Sequence, residues 1–232
     1  MPTATTSASS DGTLTVTLSP PEALLAAARE MVPGGLAAGT AGNLSVRLAD
    51  ERFLISPSSL PYAAMTEDDL VVLDLTGSVV DGRLTASSEW ALHAACYRAF
   101  PEVGSVIHSH PVFATMFACA RLPIPVEIDE FALYVGGPVE CADYARSGTR
   151  ELGDHAVAVL GEVGSALLAS HGMVTVGADP GDALHQAVVV ERSAHIQWGA
   201  RALGGAVAIP PADVAALASA YRGHRGLGSP ND

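Results

Sequence analysis

LSVRLADERFLISPSSLP, residues 44–61, decides how the chain folds. Two short runs, residues 45–48 and 52–56, flank a turn at Asp50, and strands joined by so few residues lie antiparallel. Further along, residues 71–75 and 79–84 repeat the pattern around Thr76-Gly77 and Asp81-Gly82. Residues 103–110 and 165–170 read as two more strands, the second of which residues 173–176 either continue or pair with. Helices are expected around them. One starts at Pro20 and Pro21 behind a Ser19 cap and ends at Gly34-Gly35, and another covers 87–100, capped by Ser87 or Ser88. Others fall at 111–120, within 142–160, from Pro180 to about residue 203, and at 212–221. Short hairpins with helices between and beside them predict an α/β protein with a largely antiparallel sheet under helices, not a doubly wound parallel one. Residues 1–18, rich in Ser, Thr and Ala, read as a mobile leader, and residues 19–232 as a single domain.

Composition narrows the class of protein. Of the 232 residues 49% are hydrophobic and 16% charged, which supports a buried core and excludes wholesale disorder. Twelve Lys and Arg against 25 Asp and Glu give a net charge of −13, a field that disfavours nucleic acid and anionic membranes as partners. An anionic ligand must then be held by backbone amides, hydroxyls or a metal. Cys96, Cys119 and Cys141 form no CxxC pair, and the N-terminus has neither the basic start nor the apolar stretch of a signal peptide, so a reducing cytoplasm is expected.

His108-Ser109-His110 ends a predicted strand. Side chains two apart on a strand share a face about 6.6 Å apart, so both imidazoles can reach one metal ion, although a plain polar strand face presents the same pair. His171, at the end of a second apolar strand and followed by Gly172, would complete a three-histidine site with an open position; by itself it is equally a buried histidine bonded to backbone. Ser87-Ser88-Glu89 opens a helix, where hydroxyls and free amides suit an anion and a carboxylate suits the dipole, but an ordinary cap has the same composition. Residues 39–43 (GTAGN) and 56–59 (SPSS) are two further turns able to present amides and hydroxyls to an anion.

The order GTAGNLSVR, ISPSSLPY, MTEDDLV, SSEW, HAACYRAFPEVGSVIHSHP, SGTREL and SHGM resembles the class II aldolase and adducin-head family, over about residues 21–203. The resemblance implies a three-layer α/β/α fold with a mainly antiparallel central sheet, assembled as a homotetramer with sites at subunit boundaries. It implies one zinc ion per subunit on His108, His110 and His171, and Glu89 as catalytic acid/base. It implies that the phosphate of a small sugar substrate is held by Gly42 and Asn43, Ser58 and Ser59, and Ser87 and Ser88. The activity implied is cleavage of a phosphorylated ketose to dihydroxyacetone phosphate and an aldehyde. Epimerase, dehydratase and decarboxylase chemistry on the same fold is the alternative, and a non-catalytic module like the adducin head is a rival that would not need the metal ligands.

Two departures from the family pattern stand out. Where members carry a proton-transferring tyrosine after the HxH strand, this chain has Glu127 to Phe131, so Asp129 and Glu130 are the groups available there, with Tyr134 a few residues late. The family's C-terminal tyrosine has Tyr221 or His224 as its counterpart, and Ser59 replaces a glycine of the phosphate loop. His93, four residues after Glu89 on one helix face, can orient that carboxylate but is expected rather to pack. His155, His185 and His195 are expected to be structural, and Trp90 and Trp198 core anchors.

Overall fold

The computed structural model describes residues 5–8 and 14–225. Within the expected leader, β1 (Thr5–Ala8) and β2 (Leu14–Thr17) pair antiparallel as a two-stranded sheet of their own. In this stretch, read from the sequence as a mobile leader, the β-branched Thr and Val residues favour a ribbon even without apolar periodicity. The rest of residues 1–13 lies outside the described residues.

Helix α1 (Pro20–Met31) starts as expected, with both the amide and the hydroxyl of Ser19 donating to the Glu22 carboxylate. The hairpin at residues 44–61 forms from β3 (Asn43–Arg47) and β4 (Arg52–Ile55), with Val46 opposite Leu54. Asp50 and Glu51, both at positive φ (57° and 55°), reverse the chain in the short loop that the Leu48 amide closes on the Arg52 carbonyl. Then follow β5 (Val71–Asp74), β6 (Val79–Asp81), α2 (Trp90–Ala99), β7 (Ser105–Ser109) and α3 (Val112–Ala120). The chain continues through α4 (Asp129–Tyr134), β8 (Cys141–Ala142), α5 (Arg150–Leu160), β9 (Ser165–Leu168), β10 (Gly172–Gly177), α6 (Pro180–Ala202) and α7 (Pro211–Arg225).

Among the described residues the main sheet has eight strands in the order β6-β5-β4-β3-β7-β10-β9-β8, antiparallel at every step except β8 with β9. Alternation sorts the side chains of the central strands to two cores. Leu44, Val46, Ile107 and Met173 pack with residues of α1, α3 and α6, whereas Val106, Val174 and Val176 pack with residues of α2 and α5. Burying one such Ile or Val contributes about 1.5–3 kcal/mol relative to exposure. The result is the three-layer α/β/α arrangement, and the face toward α2 and α5 is the one on which β7 carries His108. Short β8 and the single-turn α4 carry too little periodicity to be read in advance.

Candidate metal centre

Register brings the site together. Asn43 of β3, His108 of β7 and Val174 of β10 lie in one row across three strands. Asn43, Glu89, His93 and His108 are all at least 93% buried, so each polar atom there must find a partner. Gly42, at φ +82°, stands where a Cβ would lie 2.6 Å from the His108 carbonyl oxygen, and a Cβ on Gly172 would lie 2.8 Å from His110 Cδ2. Two glycines thus let the flanking turns close on the end of β7.

The imidazoles of His108, His110 and His171 form a three-bladed cluster, with ring centroids 4.6 to 4.9 Å apart and planes inclined at 64° to 67°. His108 Nδ1 donates to the Met173 carbonyl at 2.9 Å, which turns its Nε2 toward His110 Nε2 at 2.8 Å and Glu89 Oε2 at 3.1 Å. His171 Nε2 faces Glu89 Oε1 at 3.4 Å, and its Nδ1 is buried with no hydrogen-bond partner. One ligand atom from each of Glu89, His108, His110 and His171 lies within 4.8 Å of all the others. Nitrogen lone pairs and a carboxylate crowded in this way need a shared cation, and ligands about 2.0–2.1 Å from a tetrahedral zinc would be spaced roughly 3.3 Å apart. The residues present therefore fit a divalent metal, and the Met173 contact is the kind of outer bond that fixes a ligand's tautomer.

Glu89 sits differently from expectation. The helix begins one residue later, so Glu89 is the N-cap of α2 and not in its first turn, with its backbone N–H donating to the Ser87 hydroxyl at 3.3 Å. Its side chain is thereby free of its own helix. Asn43 Nδ2 donates to Oε2 at 3.0 Å and the Ser147 hydroxyl to Oε1 at 2.8 Å. Burial pushes this carboxyl up, but the hydrogen bond and charge of His108, backed by His171 and Ser147, outweigh it and hold it well below the usual range.

The expected phosphate residues come together in adjoining turns. Ser58 N–H donates to the Thr85 carbonyl, Ser58 hydroxyl to the Ala86 carbonyl and Ser87 N–H to the Ser56 carbonyl, while the Ser56 hydroxyl accepts from the Leu44 amide next to Asn43. Ser58, Ser59 and Ser88 are exposed and Ser87 is buried. Ser59, at φ +60°, holds the left-handed conformation that suits the family's glycine. The side-chain amide of Asn43 is engaged by Glu89 and His93. Glu130 pairs with Arg192 at 3.1 Å, and Asp129 is exposed at the start of α4, so neither joins the histidine cluster of its own chain. Tyr221 falls on α7 with its side chain outside the described residues, as is that of His224. Ser147 was missed as a site residue although SGTREL was recognised: a loop serine carries no periodic signal. His93 is fully buried and hydrogen-bonded, not merely packed. Trp198 is 52% exposed and not a core anchor, and His195 stacks on Phe113 with centroids 3.8 Å apart.

Burial, the largest influence on each, holds His93 down to about 3 and His110 and His171 to about 4. Unfolded, these groups titrate near pH 6.5. Between the two sets of values the unfolded chain binds more protons, so their contribution to stability is complete above about pH 6.5 and is lost as the pH falls. The metal-free protein should show a urea midpoint that declines steadily from about pH 7 to about pH 4; a flat midpoint would contradict neutral imidazoles.

A mixed sheet between helical layers, with three histidines and a carboxylate at one strand end, defines an α/β protein with a cluster that could hold a metal ion. Residues 22–198 match the family described as Class II Aldolase and Adducin N-terminal domain, and the chain belongs to that family. It is 40% identical to a 5-methylthioribulose-1-phosphate/5-deoxyribulose-1-phosphate aldolase of Rhodospirillum rubrum over 175 residues, 75% of this chain and 78% of that protein. It is 37% identical to the L-ribulose-5-phosphate 4-epimerase UlaF of Salmonella paratyphi B over 186 residues, 75% of this chain and 81% of that protein. The solved structure of an L-fuculose 1-phosphate aldolase superposes with a TM-score of 0.83 at 31% identity, covering 93% of this chain and 98% of that one. Among the described residues no helix is long and apolar enough to cross a membrane.

Proposed function

We propose that the protein is a cytoplasmic, zinc-dependent carbon–carbon lyase that splits a small phosphorylated ketose into dihydroxyacetone phosphate and an aldehyde. The observation that carries this reading is the Glu89 carboxylate wedged between His108 and His171, at 3.1 and 3.4 Å, beside a third imidazole. His108, His110 and His171 would hold the cation, which supplies the positive charge that stabilises negative charge developing on the ketose oxygens as the carbon–carbon bond breaks. Glu89 is ionised and enters as the base, taking the proton of the substrate hydroxyl that becomes the aldehyde carbonyl and returning it to the carbon left on the dihydroxyacetone phosphate side once the carbon–carbon bond has broken, while Asn43 and Ser147 hold the group in place. The turns that carry Gly42 and Asn43, Ser58 and Ser59, and Ser87 and Ser88 seat the phosphate without a cationic cluster, which suits a chain of charge −13. A homotetramer with sites at its subunit boundaries completes the reading, Asp129 and Tyr221 being the groups offered to a neighbour's site while Glu130 is committed to Arg192.

Incubation with ketose 1-phosphates, ketopentose 5-phosphates and sugar-acid phosphates, with product identification, tests it: release of dihydroxyacetone phosphate is expected. Because an epimerase is 37% identical over 75% of the chain, C4 epimerisation of a ketopentose 5-phosphate is the second reading, and an epimer without cleavage would replace the first. Protein purified without chelators should carry about one metal per chain. A metal-free protein with no turnover would favour the interaction module.

A further inference from the structure

A line of polar side chains runs from the core between sheet and α2 to the Glu89 carboxylate. Tyr97 Oη lies 2.7 Å from Ser45 Oγ, Ser45 Oγ 2.6 Å from His93 Nδ1, His93 Nε2 2.5 Å from Asn43 Oδ1, and Asn43 Nδ2 3.0 Å from Glu89 Oε2. Tyr97, Ser45 and His93 are at most 1% exposed, so water does not complete their hydrogen bonds. This leaves one consistent arrangement of protons. A flipped Asn43 amide would set oxygen against a carboxylate oxygen, so Nδ2 must face Glu89 and Oδ1 must accept from His93. His93 therefore carries its proton on Nε2, and its Nδ1 accepts from Ser45. The Ser45 hydroxyl, its one hydrogen used, accepts in turn from Tyr97. Burial disfavours a second proton on His93, in keeping with the neutral ring this pattern needs.

We propose that His93, held as the neutral Nε2–H tautomer between Asn43 Oδ1 and the Ser45 hydroxyl, is a positioning residue that locks the Asn43 amide and through it the direction in which the Glu89 carboxylate points. The proposal deepens the reading of Glu89 as the proton carrier and rests on it for its kinetic consequence. Without the His93 donor, the Asn43 side chain can turn and Glu89 loses the hydrogen bond that Asn43 Nδ2 gives to Oε2. A misaimed base slows the proton transfer more than it weakens substrate binding.

Nitrogen-15 NMR of the imidazoles, on the full chain, reads the tautomer without any substrate. His93 is expected as neutral Nε2–H across about pH 5–9; an Nδ1–H or charged ring would overturn the proposal. Kinetics then test the consequence. His93→Leu, which keeps bulk and removes the donor, should lower kcat by roughly tenfold or more with KM within about threefold, and His93→Gln, which restores an N–H near Nε2, should recover most of it. If His93→Leu retains wild-type kcat, or if folded Leu and Gln variants lose it equally, the residue only fills space and the proposal fails. Should His93→Leu not fold, Asn43→Ala takes its place: with the Oδ1 acceptor gone, the Nδ1–H tautomer of His93 should appear in the NMR spectrum, and an unchanged spectrum would count against the proposal. Absence of turnover in the unaltered protein on every sugar phosphate would defeat the proposed function, while the NMR result would still decide the relay.

Discussion

Glu89→Gln is expected to lower turnover of the accepted sugar phosphate by about 10²–10⁴-fold, the usual contribution of a placed acid or base, with metal content unchanged. The amide has the size of the carboxylate and can still accept from Asn43 Nδ2 or Ser147, so the α2 start and the adjoining turns stay in place. What it cannot do is take up a proton. The three imidazoles keep their lone pairs and His108 keeps its anchor on the Met173 carbonyl, so the metal should remain, measured by elemental analysis of the dialysed variant. Loss of kcat with loss of metal would make Glu89 chiefly a ligand, and an unaltered kcat would remove it from the chemistry.

The fold is legible in the sequence wherever the signal is local. The hairpin at residues 44–61 is set by alternation and a tight turn, and α1 by Ser19, the prolines and Glu22; the structure has both. The histidine triad is legible in part for the same reason, since residues 108 and 110 share a face by the two-residue period of a strand. That His171 meets them depends on β10 pairing with β7 in a register that sets Val174 opposite His108, which no local pattern fixes. What escapes is what depends on three dimensions. Asn43 looks like part of a phosphate turn until its amide is seen bridging Glu89 and His93. Ser147, 58 residues from Glu89, reaches it only because α5 packs on α2. Glu89 looks like a first-turn carboxylate because Ser87 and Ser88 look like caps, yet the histidines and the two donors draw it out to the N-cap position.

These contacts also explain why the histidines differ as targets for substitution. His108 is fully buried, bonded to Met173 and in contact with both Glu89 and His110, so its removal would leave a cavity and an unneutralised buried carboxylate and confuse folding with metal binding. His110 lies just beyond β7, is partly exposed, and its Nε2 is directed at the cluster. His110→Ala should therefore remove one of three imidazole ligands at little cost to the sheet. Losing a group that merely orients a ligand lowers metal affinity by roughly 10–100-fold, and losing a ligand itself should exceed that. Titration of the metal-free variant with zinc, followed by competition with a chelator of known affinity, should show binding weaker than the unaltered protein by well over 100-fold. Ser147→Ala serves as the control, because Ser147 touches Glu89 and none of the imidazoles; it should bind zinc almost as the unaltered chain does. If His110→Ala held the ion as tightly as Ser147→Ala, the three rings would be a packed aromatic cluster rather than a metal centre, and the lone pairs facing one another at 2.8 Å would need a proton, not a cation, between them.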